Sequence, residues 1–439
     1  MSPIAGLVLV LVGLAVAVGF AKALGSRGAL GPEASRKFVH VGMGVVCLTF
    51  PWLFRDAWPV WVLAAVAALA LAALRYLPLL RRHLGGVLHG VDRVSWGELY
   101  FPVGVALVFT LAGGDWLRFV IPVAVLTFAD AAGALIGKRF GRRTYETLES
   151  RKSVEGSLAV GAVGFLCAFL PLVLAGHPLL PALLIGALIG QFCLLVEAIS
   201  WRGMDNVFLP LAAYAQVSIY IGMSDTLLLG RLAALVTITI AAYFWRRGGL
   251  VDDCARLGAA LALYFFWAVG GWPWIVAPVV LLTSYVRLMP TVPGGVPIHN
   301  LVAVICISFG GLVWCVAHAV APEGPWLWAF TLSMAAQQAV IATVRFSQGR
   351  LHWPRPAWCA MGLAQAASLH GAAFWLVDRG ATIDAAGYAW GGAALALATA
   401  GFVVCERRLQ MPEDLSARWW KQGATAVVAS SAGVVHLFT

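Results

Sequence analysis

The sequence predicts an all-α integral membrane protein, a polytopic helical bundle of about 14–16 transmembrane helices, and three observations carry that reading. Hydrophobic residues make up 61% of the 439 and charged residues only 11%, with a mean hydropathy of +0.86. No soluble domain of this size keeps such a balance in water. Apolar stretches long enough to cross about 30 Å of hydrocarbon recur along the whole chain. Because only a helix or a closed barrel satisfies its backbone polar groups in lipid, these stretches are expected as helices.

In chain order, spans are expected near 4–24, 37–54, 58–79, 97–113, 117–137, 154–175 and 179–199. Further spans follow near 207–223, 226–245, 257–271, 273–286, 298–320, 325–344, 356–377, 384–404 and 422–438. The opening run, Ile4 to Leu24, lacks a charged leader and has a longer apolar core than a signal peptide, so it is read as a retained first span. The second opens on a charged stripe and the fifth carries Asp130. Ser153 stands as N-cap before the sixth, and Glu197 closes the seventh.

Charge sets the expected orientation. With the N-terminus outside, all of the 30 basic residues except Arg55, Arg118, Arg231 and Arg379 fall in cytoplasmic segments, as the positive-inside rule requires. The net charge of +10 then needs no nucleic-acid partner, because basic loops facing anionic lipid headgroups or an anionic cofactor account for it. The eight cysteines lack CxxC spacing and lie mostly in apolar runs, so they read as packing residues rather than disulfides or metal ligands.

Polar side chains inside apolar helices direct attention to function. Glu33, Arg36, Lys37 and His40 follow one another at i, i+3, i+4 and i+7 and share a helix face. That face is either a snorkelling anchor or part of a site. Asp130 lies about 12 Å of helical rise before Lys138, deep enough that an unpaired carboxylate costs about 2.5–3.5 kcal/mol, so it needs a cation. Gly133, Gly137 and Gly141 beside it read as a small-residue packing face, a close-approach face, or both.

A loop with six basic residues, Lys138 to Lys152, leads into Ser153, whose capping position leaves helix N–H groups and a positive helix end beside Lys152. Such ends collect phosphates. Gly156 permits close approach to the backbone, and Glu155 offers either a second carboxylate for a metal or simple dipole stabilisation. Glu197, then Asp205 and Asn206 in WRGMDN, add hard oxygens of the kind magnesium takes, although Asp205 also reads as a cap.

Taken together, EASRKFVH, ADAAGALIGKRFG, KSVEGS and the glutamate followed by MDN, with the less specific GELYFPVG, resemble the successive motifs of the phytol kinase, dolichol kinase and CTP-dependent diacylglycerol kinase family. The resemblance covers residues from about 30 to 215. It implies a membrane enzyme that moves the γ-phosphoryl group of CTP, or another NTP, onto a lipid alcohol such as phytol, a polyprenol or diacylglycerol. Phosphoryl transfer asks mainly for positioning and charge neutralisation. Asp130 is then expected to hold Mg2+ with help from Glu155 and Asp205, and Arg36, Lys37, Lys138 and Lys152 to meet phosphate oxygens. Ser153, Gly156, Ser157 and Asn206 complete the nucleotide side, and either Asp205 or His40 takes the alcohol proton.

The lipid substrate would enter sideways from the bilayer to a site at the cytoplasmic helix ends. A phosphatidate cytidylyltransferase is the nearest rival, and a lipid transporter or scaffold the rival from another class. Against the last, no internal duplication or broken midplane helix is apparent. Residues 1–215 thus form an expected kinase-like membrane domain, and 216–439 a second multi-span region on which the resemblance is silent. Oligomeric state is left open.

Overall fold

The computed structural model describes residues 2–26, 32–76, 97–147, 151–200, 203–244, 251–289, 299–348, 353–406 and 415–438. It is the helical bundle expected, and a two-stranded hairpin is the one sheet among the described residues. Two compact units divide the chain, Met1–Ile240 and Ala241–Thr439, so the first extends past the motif-bearing region.

In the first unit, α1 is Pro3–Ser26, α2 Pro32–Leu48, α3 Trp58–Tyr76 and α4 Gly97–Ala112, with a single turn at Phe50–Leu53 after α2. Helix α5 runs Trp116–Phe140. The hairpin β1 (Thr144–Glu146) and β2 (Arg151–Ser153) precedes α6 (Val154–Leu174), α7 (Leu179–Ile199), α8 (Asp205–Tyr220) and α9 (Asp225–Phe244). The second unit holds α10 (Asp253–Gly270), α11 (Pro273–Arg287), α12 (Leu301–Val320), α13 (Trp326–Gln348), α14 (Arg355–Asp378), α15 (Ala385–Cys405) and α16 (Leu415–Val435).

Ten of the described helices are long and apolar enough to cross a membrane. Helices α2 and α8, at 17 and 16 residues, are shorter than these. Leu69, Leu174 and Leu397 stand fully outward, an arrangement that suits lipid and not water. Cysteines 47, 167, 193, 254, 306 and 315 are buried, as packing residues should be, while Cys405 is exposed.

Two features of the first unit position the site. An aromatic cluster ties α4, α5 and the turn after α2 together: Phe109 meets Phe119 edge-on at 5.2 Å between centroids, and Phe50 packs on both. Each such pair adds about 0.5–1.5 kcal/mol beyond its buried area. Then α5 itself changes pitch. Pro122, buried inside it, has no N–H to donate, and the helix widens into a π-turn over Val125–Ala129 that ends at Asp130.

In the second unit, α13 is the central helix, with 89% of its apolar window buried. It nevertheless carries Thr331, Ser333, Gln337, Gln338, Thr343 and Arg345 inward. Gln422 donates to Gln337 Oε1 at 2.7 Å, and Gln337 donates to the Cys306 carbonyl at 3.1 Å. Such ladders replace the water that the bilayer withholds.

Candidate active site

Asp130 is buried, and a cation does sit on it. Lys37 Nζ donates to its Oδ2 at 2.6 Å, while His40 Nε2 lies 3.3 Å from the same oxygen. Arg36 adds to the positive potential there. The i, i+3 spacing of Lys37 and His40 puts both on the face of α2 that meets α5. His40 Nε2 also contacts the Leu126 carbonyl at 2.9 Å. Since a carbonyl only accepts, Nε2 carries a proton, and the acceptor is one that the π-turn presents.

What lets α2 come so near is Gly44, one turn beyond His40. A Cβ there would lie 2.0 Å from Thr127 Oγ1, inside the π-turn. Gly104, last residue of GELYFPVG, does the same for α8: a Cβ would lie 2.3 Å from the Asn206 carbonyl oxygen. Any side chain at either position would push apart the helices that carry the polar groups.

A second ion pair stands beside the first. Lys152, on β2, donates to Glu197 Oε1 at 2.8 Å and also to the Glu197 backbone carbonyl. Burial alone would lower its pKa, yet the Glu197 and Asp205 carboxylates hold it above the ordinary lysine value. Gly203, at φ +78°, makes the turn that starts α8. Asp130, Glu197 and Asp205 thereby come together, each with a carboxylate oxygen within 4.8 Å of the others'.

This oxygen set suits a divalent cation. Oxygens on one octahedral Mg2+ lie about 3.0 Å apart where they are neighbours and about 4.2 Å where they face each other, so the trio is gathered near one ion's reach and would draw in by up to about 2 Å to hold it. Two further oxygens, Glu197 Oε2 and Asn206 Oδ1, are buried without a hydrogen-bond donor. Acceptors left so are costly unless something positive meets them. Of the three acids, Asp130 and Glu197 each have a lysine. Among the described residues, Asp205 accepts from Asn206 alone, through its backbone N–H at 3.1 Å and its side-chain amide at 3.5 Å.

A phytol kinase from Synechocystis sp. is 32% identical to this chain over 223 residues, which are 48% of this chain and 92% of that protein. The chain belongs to the phytol kinase family. No family model and no solved structure matches it. The motifs singled out in the sequence converge on one place in the first unit. EASRKFVH supplies Lys37 and His40, ADAAGALIGKRFG supplies Asp130, KSVEGS supplies Lys152, and the stretch ending in MDN supplies Glu197 and Asp205.

Not every residue expected at the site of this phytol kinase relative stands there. Glu155 is set apart from the acidic trio, and its carboxylate accepts from the backbone N–H groups of Arg142 and Arg143 at 3.0 and 3.3 Å, closing the base of the hairpin. The third carboxylate of the cluster is Glu197, which the sequence groups with Asp205 and Asn206 as a hard oxygen without assigning it to the metal. Ser153 is the N-cap of α6 and accepts from Gly156 N at 3.1 Å, so that N–H is occupied. The Gly133, Gly137 and Gly141 ladder packs on this cap, and a Cβ on Gly156 would lie 2.9 Å from the Gly133 carbonyl oxygen. Ser157 Oγ bonds Tyr145 at 2.7 Å and the Ser153 carbonyl at 3.2 Å. These groups position Lys152 through the hairpin. Lys138 is exposed in the last turn of α5. Glu33 and Glu98 have side chains outside the described residues.

Proposed function

We propose that this protein is a lipid-alcohol kinase that transfers the γ-phosphoryl group of CTP, or another NTP, to phytol or a similar long-chain alcohol. The observation that carries the reading is the gathering of three carboxylates, two of them paired with the buried Lys37 and the half-buried Lys152. Phosphoryl transfer depends on charge neutralisation around a metal–nucleotide complex, and this cluster holds both signs of charge.

Asp130, Glu197 and Asp205, with Asn206 Oδ1, are the groups that would hold Mg2+. The ion, when bound, would supply positive charge that offsets the negative charge developing on the phosphoryl group. Lys37 and Lys152, which hold Asp130 and Glu197 in this structure, are assigned to triphosphate oxygens, with Arg36 beside them. Asp205, the acid without a lysine, receives the proton of the alcohol as the alcohol oxygen bonds to the γ-phosphorus and the bond to the departing nucleoside diphosphate breaks. His40, a donor at Nε2, fixes Asp130 in place. The site lies on the cytoplasmic side, and the alcohol enters with its tail in the bilayer.

The test is full-length protein in nanodiscs, supplied with phytol, farnesol, undecaprenol or diacylglycerol and either γ- or α-labelled CTP. Label from the γ position in extracted lipid supports the kinase. Label from the α position, with pyrophosphate released, would assign a cytidylyltransferase instead.

A further inference from the structure

Among the described residues of the second unit, no acid pairs with the buried cation Arg345. Arg345, in the last turn of α13, is only 2% exposed. Its Nη2 donates to Tyr285 Oη at 3.2 Å, and its guanidinium lies over the Tyr285 ring at 5.1 Å. Its Nε and Nη1 have no hydrogen-bond partner. Tyr285 Oη, having accepted from Arg345, is free to donate to His299 Nδ1 at 2.9 Å.

The acids described at this end of the unit are engaged elsewhere. Asp252 caps α10, accepting from Ala255 N at 2.6 Å. Asp253 pairs with Arg256, and Glu406 with Lys421 at 3.0 Å. Another orphan belongs to the same packed cluster: Trp358 Nε1, buried and unbonded. All three unmet groups are therefore N–H donors, and none is an acceptor. Nε and Nη1 also form the edge of a guanidinium that grips two oxygens of one anion. A buried ion without a counter-charge is too costly for lipid surroundings to retain without a use.

We propose that Arg345, supported by Tyr285 and Trp358, is the oxyanion site of the second unit, and that it takes the phosphate or carboxylate head of a single-chain amphiphile. The tail would lie along the apolar cluster of Phe346, Ile341 and Met289 that surrounds Tyr285 and Trp358. This site does not depend on the kinase reading of the first unit.

The experiment follows thermal unfolding of the full-length protein in nonionic detergent without added anion, then with octyl phosphate, octanoate, inorganic phosphate or octanol. Octyl phosphate or octanoate at roughly a hundredfold over its dissociation constant should raise the midpoint by about 5 °C, and octanol should not. Equal stabilisation by inorganic phosphate would identify a free oxyanion as the ligand and overturn the amphiphile. Arg345→Met should match or exceed wild-type stability in anion-free buffer and lose the response, because it removes an uncompensated charge. Arg345→Lys should keep the fold and weaken binding about tenfold or more. If Arg345→Met unfolds at a lower temperature, the residue is structural and the proposal is overturned. It is equally overturned if the response survives in Arg345→Met but disappears in Asp130→Asn, since the anion then sits in the first unit.

Discussion

Lys37 Nζ and Asp130 Oδ2 are 2.6 Å apart, 93 positions distant in sequence and both shielded from solvent. Breaking such a pair from one side strands a buried charge, at a cost of about 3–5 kcal/mol. Lys37→Met should therefore lower the thermal midpoint substantially. The double variant Lys37→Met/Asp130→Asn should recover much of that stability while remaining inactive. A double variant as unstable as the sum of the single changes would mean the two groups are not coupled.

Glu197 and Glu155 separate the geometric site from the one that motif spacing suggests. Glu197→Gln should lower turnover by at least about 10²-fold with little change in expression, as expected when a charged group at a phosphoryl-transfer centre is lost. Glu155→Gln should retain most turnover and loosen only the hairpin. Steady-state kinetics with γ-labelled nucleotide will rank the two.

Gly44 and Gly104 act only through the distance they permit. Gly44→Val or Gly104→Val should move Lys37 and His40, or Asp205 and Asn206, by around an ångström, for which a loss of about 10² in kcat is expected. Wild-type rates in either variant would show that the helices tolerate separation.

Lys152 predicts a pH dependence of defined sign. Its folded pKa is raised above the unfolded lysine value, so the stabilisation it gives is whole below about pH 10 and is lost as pH rises through the folded value. The midpoint difference between wild type and Lys152→Met should thus stay level from pH 7 to about 10 and shrink beyond. A difference that fades near neutrality would contradict the pairing with Glu197.

Much of this was legible in the sequence because lipid simplifies the reading. Apolar runs map onto α1 through α16, ten of which are long and apolar enough among the described residues to cross a membrane, since each must close its own hydrogen bonds, and Asp130 announces itself by its depth. Ser153 was readable as a cap from its place before an apolar run. The partner of Lys152 was not. Glu155 sits three residues from it in the chain, whereas Glu197 is 45 away, and the packing of α6 on α7 brings it close. The π-turn at Val125–Ala129 and the close contacts at Gly44 and Gly104 leave no one-dimensional signal either, since each is a relation between two helices. Likewise Arg345 looks like any end-of-helix cation until its neighbours are known.

The central claim is that Asp130, Glu197 and Asp205 make one divalent-cation site, and Mn2+ binding followed by electron paramagnetic resonance in nucleotide-free protein tests it most directly. One Mn2+ per chain should bind, with affinity at least about tenfold weaker in Asp130→Asn, Glu197→Gln and Asp205→Asn and unchanged in Glu155→Gln. Unaltered binding in Glu197→Gln, together with its loss in Glu155→Gln, would contradict the account.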